Sequence, residues 1–362
     1  MVKKVNNKNK TVFVGISGGV DSAVAALILK QQGFKVVGVF IRTWTPDFIN
    51  CTWRDERRDA MRVCAHLSIP FLECDAEKEY EEGVVKYMID EYKKGRTPNP
   101  DVMCNREVKF GVFWNFAKHH GANFIATGHY VKKEEKDGVY FLRKNIDEGK
   151  DQVYFLWTLT QEDLKHSLFP VGNLNKKEVR RLAKKHNLPN AKKKDSQGVC
   201  FLGPLDMKKF LMHYIQTQKG NVLNTKEEII GSHDGAVFFT IGERHGFSIK
   251  KDSQNSKPLY VISKNIEKNT ITVSEKSPTL LGEESGFIMI RISKNNWISS
   301  KPEKNKKYQA QIRYHGELID CYVENIDDKN AEITFKNSVR IDAGQSLVLY
   351  DNDICLGGGV AD

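Results

Sequence analysis

Residues 15–22 read Gly15-Ile16-Ser17-Gly18-Gly19-Val20-Asp21-Ser22, or GISGGVDS. The apolar run TVFV (11–14) leads into this stretch and AVAALIL (23–29) leads out of it. The first has the composition of a buried strand. The second carries Val24, Leu27 and Ile28 on one helical face and runs on to Gly33, a natural left-handed cap. A strand that feeds a helix through adjacent glycines leaves backbone N–H groups pointing at one spot, with the helix dipole behind them. Such a turn is a nest for an anion. Ser17 and Ser22 add hydroxyl donors. Asp21 would repel phosphates unless a divalent cation such as Mg2+ stands between them. The lysine of the G-x-x-x-x-G-K-[ST] loop is missing here, so this is not an ordinary γ-phosphate loop.

Working outward, TVFVGI (11–16), FKVVGVFI (34–41), PFLECD (70–75) and NFIATGH (123–129) read as strands covered on both faces. Helical patterns over 21–32, 55–67, 77–94 and 106–120 alternate with them. This rhythm predicts an α/β fold with a doubly wound, mostly parallel sheet, in which ligands bind beyond the carboxyl ends of the strands. Residues 131–145 predict a hairpin turning at Asp137-Gly138. Residues 175–187 form a basic helix pattern, with Lys and Arg expected on one broad face, and 205–216 a shorter helix. From about residue 220, AVFFTIG, PLYVISK, NTITVSE, FIMIRIS, YQAQIRY, ELIDCYVE, AEITF and SLVLYD predict strands of one or two small β domains.

A chain of 362 residues exceeds one ordinary core. Its formal net charge of +10 favours a polyanionic partner, nucleic acid being the usual one. No apolar run is long enough to cross a bilayer, and the basic N-terminus has no apolar segment of a signal peptide, so no membrane is expected and the cytoplasm is the default. The seven cysteines form no CxxC and no disulfide framework. Cys64, Cys74, Cys321 and Cys355 read as inert buried thiols, and Cys51 lies in the long polar segment 42–57. Two others sit in polar stretches. GRTPNPDVMCNREVKF (95–110) presents Cys104 just before a helix pattern, with Arg106 and Lys109 near enough to favour a thiolate. KKKDSQGVCFLG (192–203) presents Cys200.

The glycine turn resembles the PP-loop of the ATP pyrophosphatase superfamily, whose members cut ATP between its α- and β-phosphates and adenylylate a substrate oxygen. PNPDVMCN, ATGHY, GKDQVYFL and DSQGVCFLG follow SGGVDS in that order, and QIRYHG is followed by AGQSLVLYD. Together they resemble the tRNA-specific 2-thiouridylase family from residue 11 to the end. The resemblance implies a PP-loop catalytic domain (1–205), a small central domain (206–278) and a C-terminal antiparallel β-barrel that binds tRNA (279–362). It implies replacement of the C2 oxygen of a wobble uridine by sulfur, with ATP converted to AMP and pyrophosphate.

Carried over by motif, Gly15, Ile16, Ser17, Gly18, Gly19, Val20, Asp21 and Ser22 hold ATP, with Ile41 and Gly128 lining the nucleotide site. Asn99, Pro100 and Asp101 meet the target base, and Asp101 is also placed to assist proton transfer. Cys104 is the nucleophile or resolving thiol, and Cys200 carries a persulfide. The exchange ends in a Cys104–Cys200 disulfide. His129, Lys150, Asp151, Gln152, Arg313, Tyr314 and Gln345 contact tRNA. The implied partners are a tRNA with a wobble uridine and a cysteine desulfurase or persulfide relay protein. An iron–sulfur cluster on Asp101, Cys104 and Cys200 is the second arrangement within this chemistry, although four cysteines are the more usual ligand set. No other metal site is expected. Two rivals stand beside this reading. One is another PP-loop ligase that amidates or thiolates a different substrate. The other is a tRNA-binding protein without catalysis.

Overall fold

The apolar runs of the first half become a parallel sheet in the computed structural model, which describes residues 7–48, 53–195, 206–250, 257–276, 287–327, 329–336 and 339–362. Strands β1 (Thr11–Gly15), β2 (Lys35–Arg42), β3 (Phe71–Asp75) and β4 (Phe124–Ala126) are followed by the hairpin β5 (Lys132–Lys136) and β6 (Val139–Arg143), then by the two-residue β7 (Ser167–Leu168). The sheet order is β3-β2-β1-β4-β7, and all four pairings are parallel.

Alternate residues of β1 face opposite layers, as the two-residue period of a strand requires. Val12 and Val14 pack with helix α1 (Val20–Gln31) and helix α2 (Trp53–Leu67). Phe13 packs on the other side. There it meets helix α3, which runs as Glu77–Tyr80, a π-helical stretch Glu81–Lys86 and Tyr87–Lys93. Helix α4 lies on the same side and runs as Pro100–Cys104, a π-helical stretch Asn105–Val112 and Phe113–His119. The sheet is therefore doubly wound. Trp44 joins the Phe13 side and Trp53 opens α2, whereas Cys51 lies outside the described residues.

Helix α4 begins earlier than its apolar pattern suggests. Asn99 accepts a hydrogen bond from the Val102 N–H at 3.3 Å and Pro100 takes the first helical position. An Asn cap followed by Pro starts a helix without losing a backbone bond. Cys104 is therefore inside a helix and not in a loop before it. Helices α5 (Gln161–His166) and α6 (Lys176–Lys185) each open with a capping box, and α7 (Met207–Met212) follows.

The central sheet holds β8 (Gly220–Leu223), β9 (Ile229–His233), β10 (Phe247–Ile249), β11 (Tyr260–Asn265) and β12 (Thr270–Ser274), in the order β10-β9-β8-β12-β11. AVFFTIG is not a strand in it. Ala236–Phe238 forms a 3-10 turn, and Phe239 points into the small core with Val222 and Val261. A short apolar run reports burial, and burial alone does not select extended backbone.

Strands β13 (Ile288–Trp297), β14 (Lys307–Gln311), β15 (Ile319–Ile326), β16 (Asn330–Phe335), β17 (Ser346–Asp351) and β18 (Ile354–Ala361) run β13-β16-β15-β14-β17-β18. A β13–β18 pairing closes them into a six-stranded antiparallel barrel. Hairpin β5–β6 turns at Asp137 and Gly138, both at positive φ, and adds to the outside of β18 through Cys355 opposite Leu142. The first unit thus contributes two strands to the sheet of the last.

The four thiols read as inert are buried, and burial pushes Cys64 up to about 11 and Cys74, Cys321 and Cys355 up to about 12. At neutral pH such groups are neither nucleophiles nor ready metal ligands.

Candidate active site

The glycine turn sits where β1 hands over to α1, at the carboxyl end of the parallel sheet. Gly18 takes φ +75°, and a Cβ there would lie 2.7 Å from the Glu56 carbonyl oxygen. Gly19 is the N-cap and offers α1 no side-chain cap, so the first N–H groups of the helix are left for a ligand. Ser22 donates to the Gly19 carbonyl at 3.2 Å, and the Asn190 amide bridges the Gly18 and Gly19 carbonyls at 2.9 Å each. These bonds hold the carbonyls away from the nest, so that N–H groups line it. Ile41, at the end of β2, lies against Gly15, and a Cβ on Gly15 would sit 3.6 Å from its Cδ1.

Gly128 closes the nest from β4. A Cβ on it would meet the Ser22 nitrogen at 2.8 Å and the Asp21 carbonyl carbon at 2.9 Å. Both are backbone atoms and cannot swing aside. Gly128→Ala is therefore expected to displace the turn at an overpacking cost of about 1–3 kcal/mol. ATP affinity should fall about tenfold to a hundredfold. Calorimetric titration of ATP into Gly128→Ala and into the control Gly149→Ala, whose Cβ has its nearest neighbour at 3.6 Å, checks this. Equal affinities would place the nucleotide elsewhere.

Asp21 is only partly exposed, at 32%. Tyr130 donates to it at 2.6 Å, and Lys176 Nζ lies 2.7 and 2.9 Å from its two oxygens. A carboxylate that already holds a cation at the mouth of an anion nest fits a divalent ion, and Asp21 with the Ser17 and Ser22 hydroxyls offers the hard oxygen donors Mg2+ prefers. When bound, that ion would supply charge neutralisation for phosphate oxygens.

The second expected constellation surrounds the start of α4. Asn99, Pro100 and Asp101 form its first turn and Cys104 is fully buried one turn further on. Asn105 donates to the Phe155 carbonyl at 3.1 Å, which pins α4 to the segment after Gln152. Tyr314 stacks obliquely on Phe155 with ring centroids 4.4 Å apart. Its phenol is pushed up by burial and by the charges of Asp151 and Asp101. Asp151 and Tyr314, distant in sequence, line one cleft between the α/β unit and the barrel. A cavity of about 340 Å3 opens there, lined by Asp151, Tyr154, Gln311 and Tyr314 among others. Arg313 is exposed beside it. Gln345 follows Gly344 and precedes Ser346, which line a second cavity with Asn99 and Met103.

The remaining expected tRNA contacts are engaged inside the protein. His129 is buried, donates or accepts at Thr127 Oγ1 at 2.8 Å, and has its ring pKa held well below the usual value by burial. Gln152 Oε1 accepts from the Tyr130 N–H at 3.1 Å. Lys150 pairs with Asp195 at 2.7 Å. Cys200, and any pairing or ligand set that includes it, lies outside the described residues. The basic residues of α6 are divided between two faces. Lys176 and Arg180 turn inward to Asp195, at 2.8 and 2.6 Å, and Lys177, Arg181, Lys184 and Lys185 face solvent. Helical periodicity could not say which side would meet a carboxylate, because Asp195 arrives from another segment.

Asp151 accepts from the Asn145 N–H at 2.8 Å, yet burial raises its pKa from 3.8 to about 6. The folded chain thus binds a proton that the unfolded chain has already lost between about pH 4 and 6. Stability falls as pH rises through that window and stays lowered above it. Asp151→Asn, which can still accept from Asn145, should raise stability at pH 7.5 by about 2 kcal/mol, and the gain should vanish near pH 4. Urea melts at the two pH values measure it.

Three known domain families match the three units in turn. The family described as tRNA methyl transferase HUP domain matches residues 10–204, the tRNA methyl transferase PRC-barrel domain 208–275, and the aminomethyltransferase β-barrel domain 288–361. A solved 4-thiouridine synthetase–RNA complex with bound ATP is 20% identical, at a TM-score of 0.37, over 56% of this chain and 50% of that one. The tRNA-specific 2-thiouridylase MnmA of Geobacillus thermodenitrificans is 42% identical over 97% of this chain and 94% of its own length. The protein of the same name from Lacticaseibacillus paracasei is 42% identical over 100% of this chain and 97% of its own. With that identity across the whole length, the chain belongs to the tRNA-specific 2-thiouridylase family.

Proposed function

We propose that this protein uses ATP to replace the C2 oxygen of the wobble uridine of tRNA by sulfur. The proposal rests on an open phosphate nest (Gly15–Ser22) and a thiol-bearing helix start (Asn99–Cys104) carried by the same α/β unit, in a chain 42% identical to a 2-thiouridylase over its full length. Two of the matched domain descriptions speak of methyl transfer. A phosphate nest serves adenylylation instead, and the full-length relatives are named for thiolation.

In this reading the turn holds the ATP phosphates, Ile41 and Gly128 border the nucleotide, and Asp21 takes Mg2+. Asn99, Pro100 and Asp101 hold the uridine, which must leave its stack to be reached. Adenylylation makes the C2 oxygen a leaving group. The terminal sulfur of a persulfide on Cys200 bonds to C2, and the C2–O bond breaks so that AMP departs with the oxygen. The Cys104 thiolate then attacks the Cys200 sulfur, releases the thiolated base and leaves a Cys104–Cys200 disulfide. A thiol reductant resets it, and a cysteine desulfurase or persulfide relay protein recharges Cys200. Arg313, Tyr314, Gln345 and Asp151 meet tRNA, with His129, Lys150 and Gln152 behind them. The solvent-facing cations of α6 bind phosphates. Residues 1–205 form the catalytic domain, 206–278 the adaptor and 279–362 the tRNA-binding barrel.

The test labels the C2 oxygen of the wobble uridine with oxygen-18. The label should appear in AMP after one turnover. Label released as water would exclude the adenylylated intermediate.

A further inference from the structure

The turn lacks a lysine of its own, yet a lysine reaches it from far along the chain. Lys176 is the first residue of α6, and its base is fixed by the Asn175–Glu178 capping box. Its side chain is only 13% exposed and its Nζ lies between two carboxylates, 2.7 Å from Asp21 and 2.8 Å from Asp195. Asp195 has two further cations, Lys150 at 2.7 Å and Arg180 at 2.6 Å. Asp147 stands beside them, accepting from the Lys176 backbone N–H at 3.0 Å, so three cations and three carboxylates meet at the mouth of the phosphate nest.

The group is arranged so that Lys176 can change partners cheaply. If it leaves Asp21, Asp195 still holds it near the turn. If it leaves Asp195, Lys150 and Arg180 still compensate that carboxylate. Asp21 is the only partner that loses its cation, and Asp21 is the residue suited to a divalent ion. An ammonium on a flexible stem and a divalent cation repel each other across a single carboxylate, so they compete for it.

We propose that Lys176 is the phosphate-binding lysine of this enzyme, holding Asp21 in the nucleotide-free state and turning to the phosphate oxygens when a divalent cation takes Asp21. The proposal rests on the nucleotide reading above and adds to it a residue that the motif does not contain. It makes Lys176 both a competitor of Mg2+ for Asp21 and a cation that neutralises the departing pyrophosphate.

The experiment compares Lys176→Met and Lys176→Arg with the unaltered protein. Mg2+ is titrated at fixed ATP while nucleotide binding is followed by calorimetry, and pyrophosphate release is measured with saturating tRNA. Losing a charged hydrogen bond to phosphate is worth about tenfold to a hundredfold. Lys176→Met should therefore reduce kcat for pyrophosphate release by about that factor and leave the KM for tRNA unchanged. It should also lower the Mg2+ concentration at half-saturation severalfold. Lys176→Arg should keep most of the rate. Unaltered protein that binds ATP, together with a Lys176→Met variant whose Mg2+ midpoint and kcat are unchanged, overturns the role of Lys176 alone. So does a rate loss in both variants that only tracks a lowered melting temperature. An unaltered protein that binds no ATP overturns the nucleotide reading itself.

Discussion

Cys104→Ser is expected to lower thiolation on the order of a thousandfold or more, the scale seen when one member of a reacting set is removed. ATP and tRNA affinities should change little. Serine is nearly the size of cysteine and Cys104 is fully buried in an established helix turn, so the fold should tolerate the exchange. Chemistry should not, because a hydroxyl does not attack a disulfide sulfur at neutral pH. A quenched single-turnover assay separates the possibilities. If sulfur is first attached and then held, Cys104→Ser should trap the tRNA covalently on the protein in a form released by dithiothreitol. Normal multiple turnover by Cys104→Ser would remove Cys104 from the mechanism. Its burial adds a condition: the helix start must open towards the cleft for the thiol to react, and the cavity beside Asn99, Val102 and Met103 gives it room to do so.

Lys264→Met is expected to destabilise the fold by about 3–5 kcal/mol. Lys264, on β11, pairs with Asp342 of the C-terminal unit at 2.8 Å, and both side chains are more than nine-tenths buried. Thr97, two residues before Asn99, donates to the same carboxylate at 2.7 Å, and the Ile241 N–H approaches it at 3.3 Å. All three units thus meet on one carboxylate next to the start of α4. Without Lys264 that charge is buried and uncompensated. The double exchange Lys264→Met with Asp342→Leu should recover much of the loss, because well-packed apolar groups replace a buried pair at little cost. Denaturant melts of the three variants test this, and an unchanged melt of Lys264→Met would show the pair to be dispensable.

Much of the fold is legible in the sequence, for reasons specific to each element. The runs 11–16 and 34–41 are largely apolar because the sheet is covered on both faces, and they become β1 and β2, whereas 70–75 becomes the edge strand β3, where Asp75 pairs with Arg42 and Glu73 with Arg57. The last strand, β18, is harder to read. Its CLGGGVA has the composition of a turn, yet a Cβ on Gly359 would lie 2.9 Å from the Ser293 carbonyl oxygen. Those glycines are there because the barrel closes tightly, which only the partner strand reveals. Strand β7, two residues long, carries no period at all.

The site divides in the same way. Its local parts, GISGGVDS and the Asn99-Pro100 helix start, are written in consecutive residues. The groups that complete it are not. Tyr130, Lys176 and Asn190 reach the turn from 109 to 172 residues away. Nothing in the local composition of a lysine-rich helix tells the inward Lys176 from the outward Lys177.

The most direct test of the central claim is nucleoside mass spectrometry of one reaction. The protein is combined with ATP, Mg2+, a persulfide source and unmodified tRNA bearing a wobble uridine, beside Cys200→Ser. The account predicts 2-thiouridine at the wobble position with the unaltered protein only, together with one AMP per sulfur inserted. Bound tRNA with no thiolated nucleoside from any sulfur donor, or thiolation that survives Cys200→Ser, would contradict it.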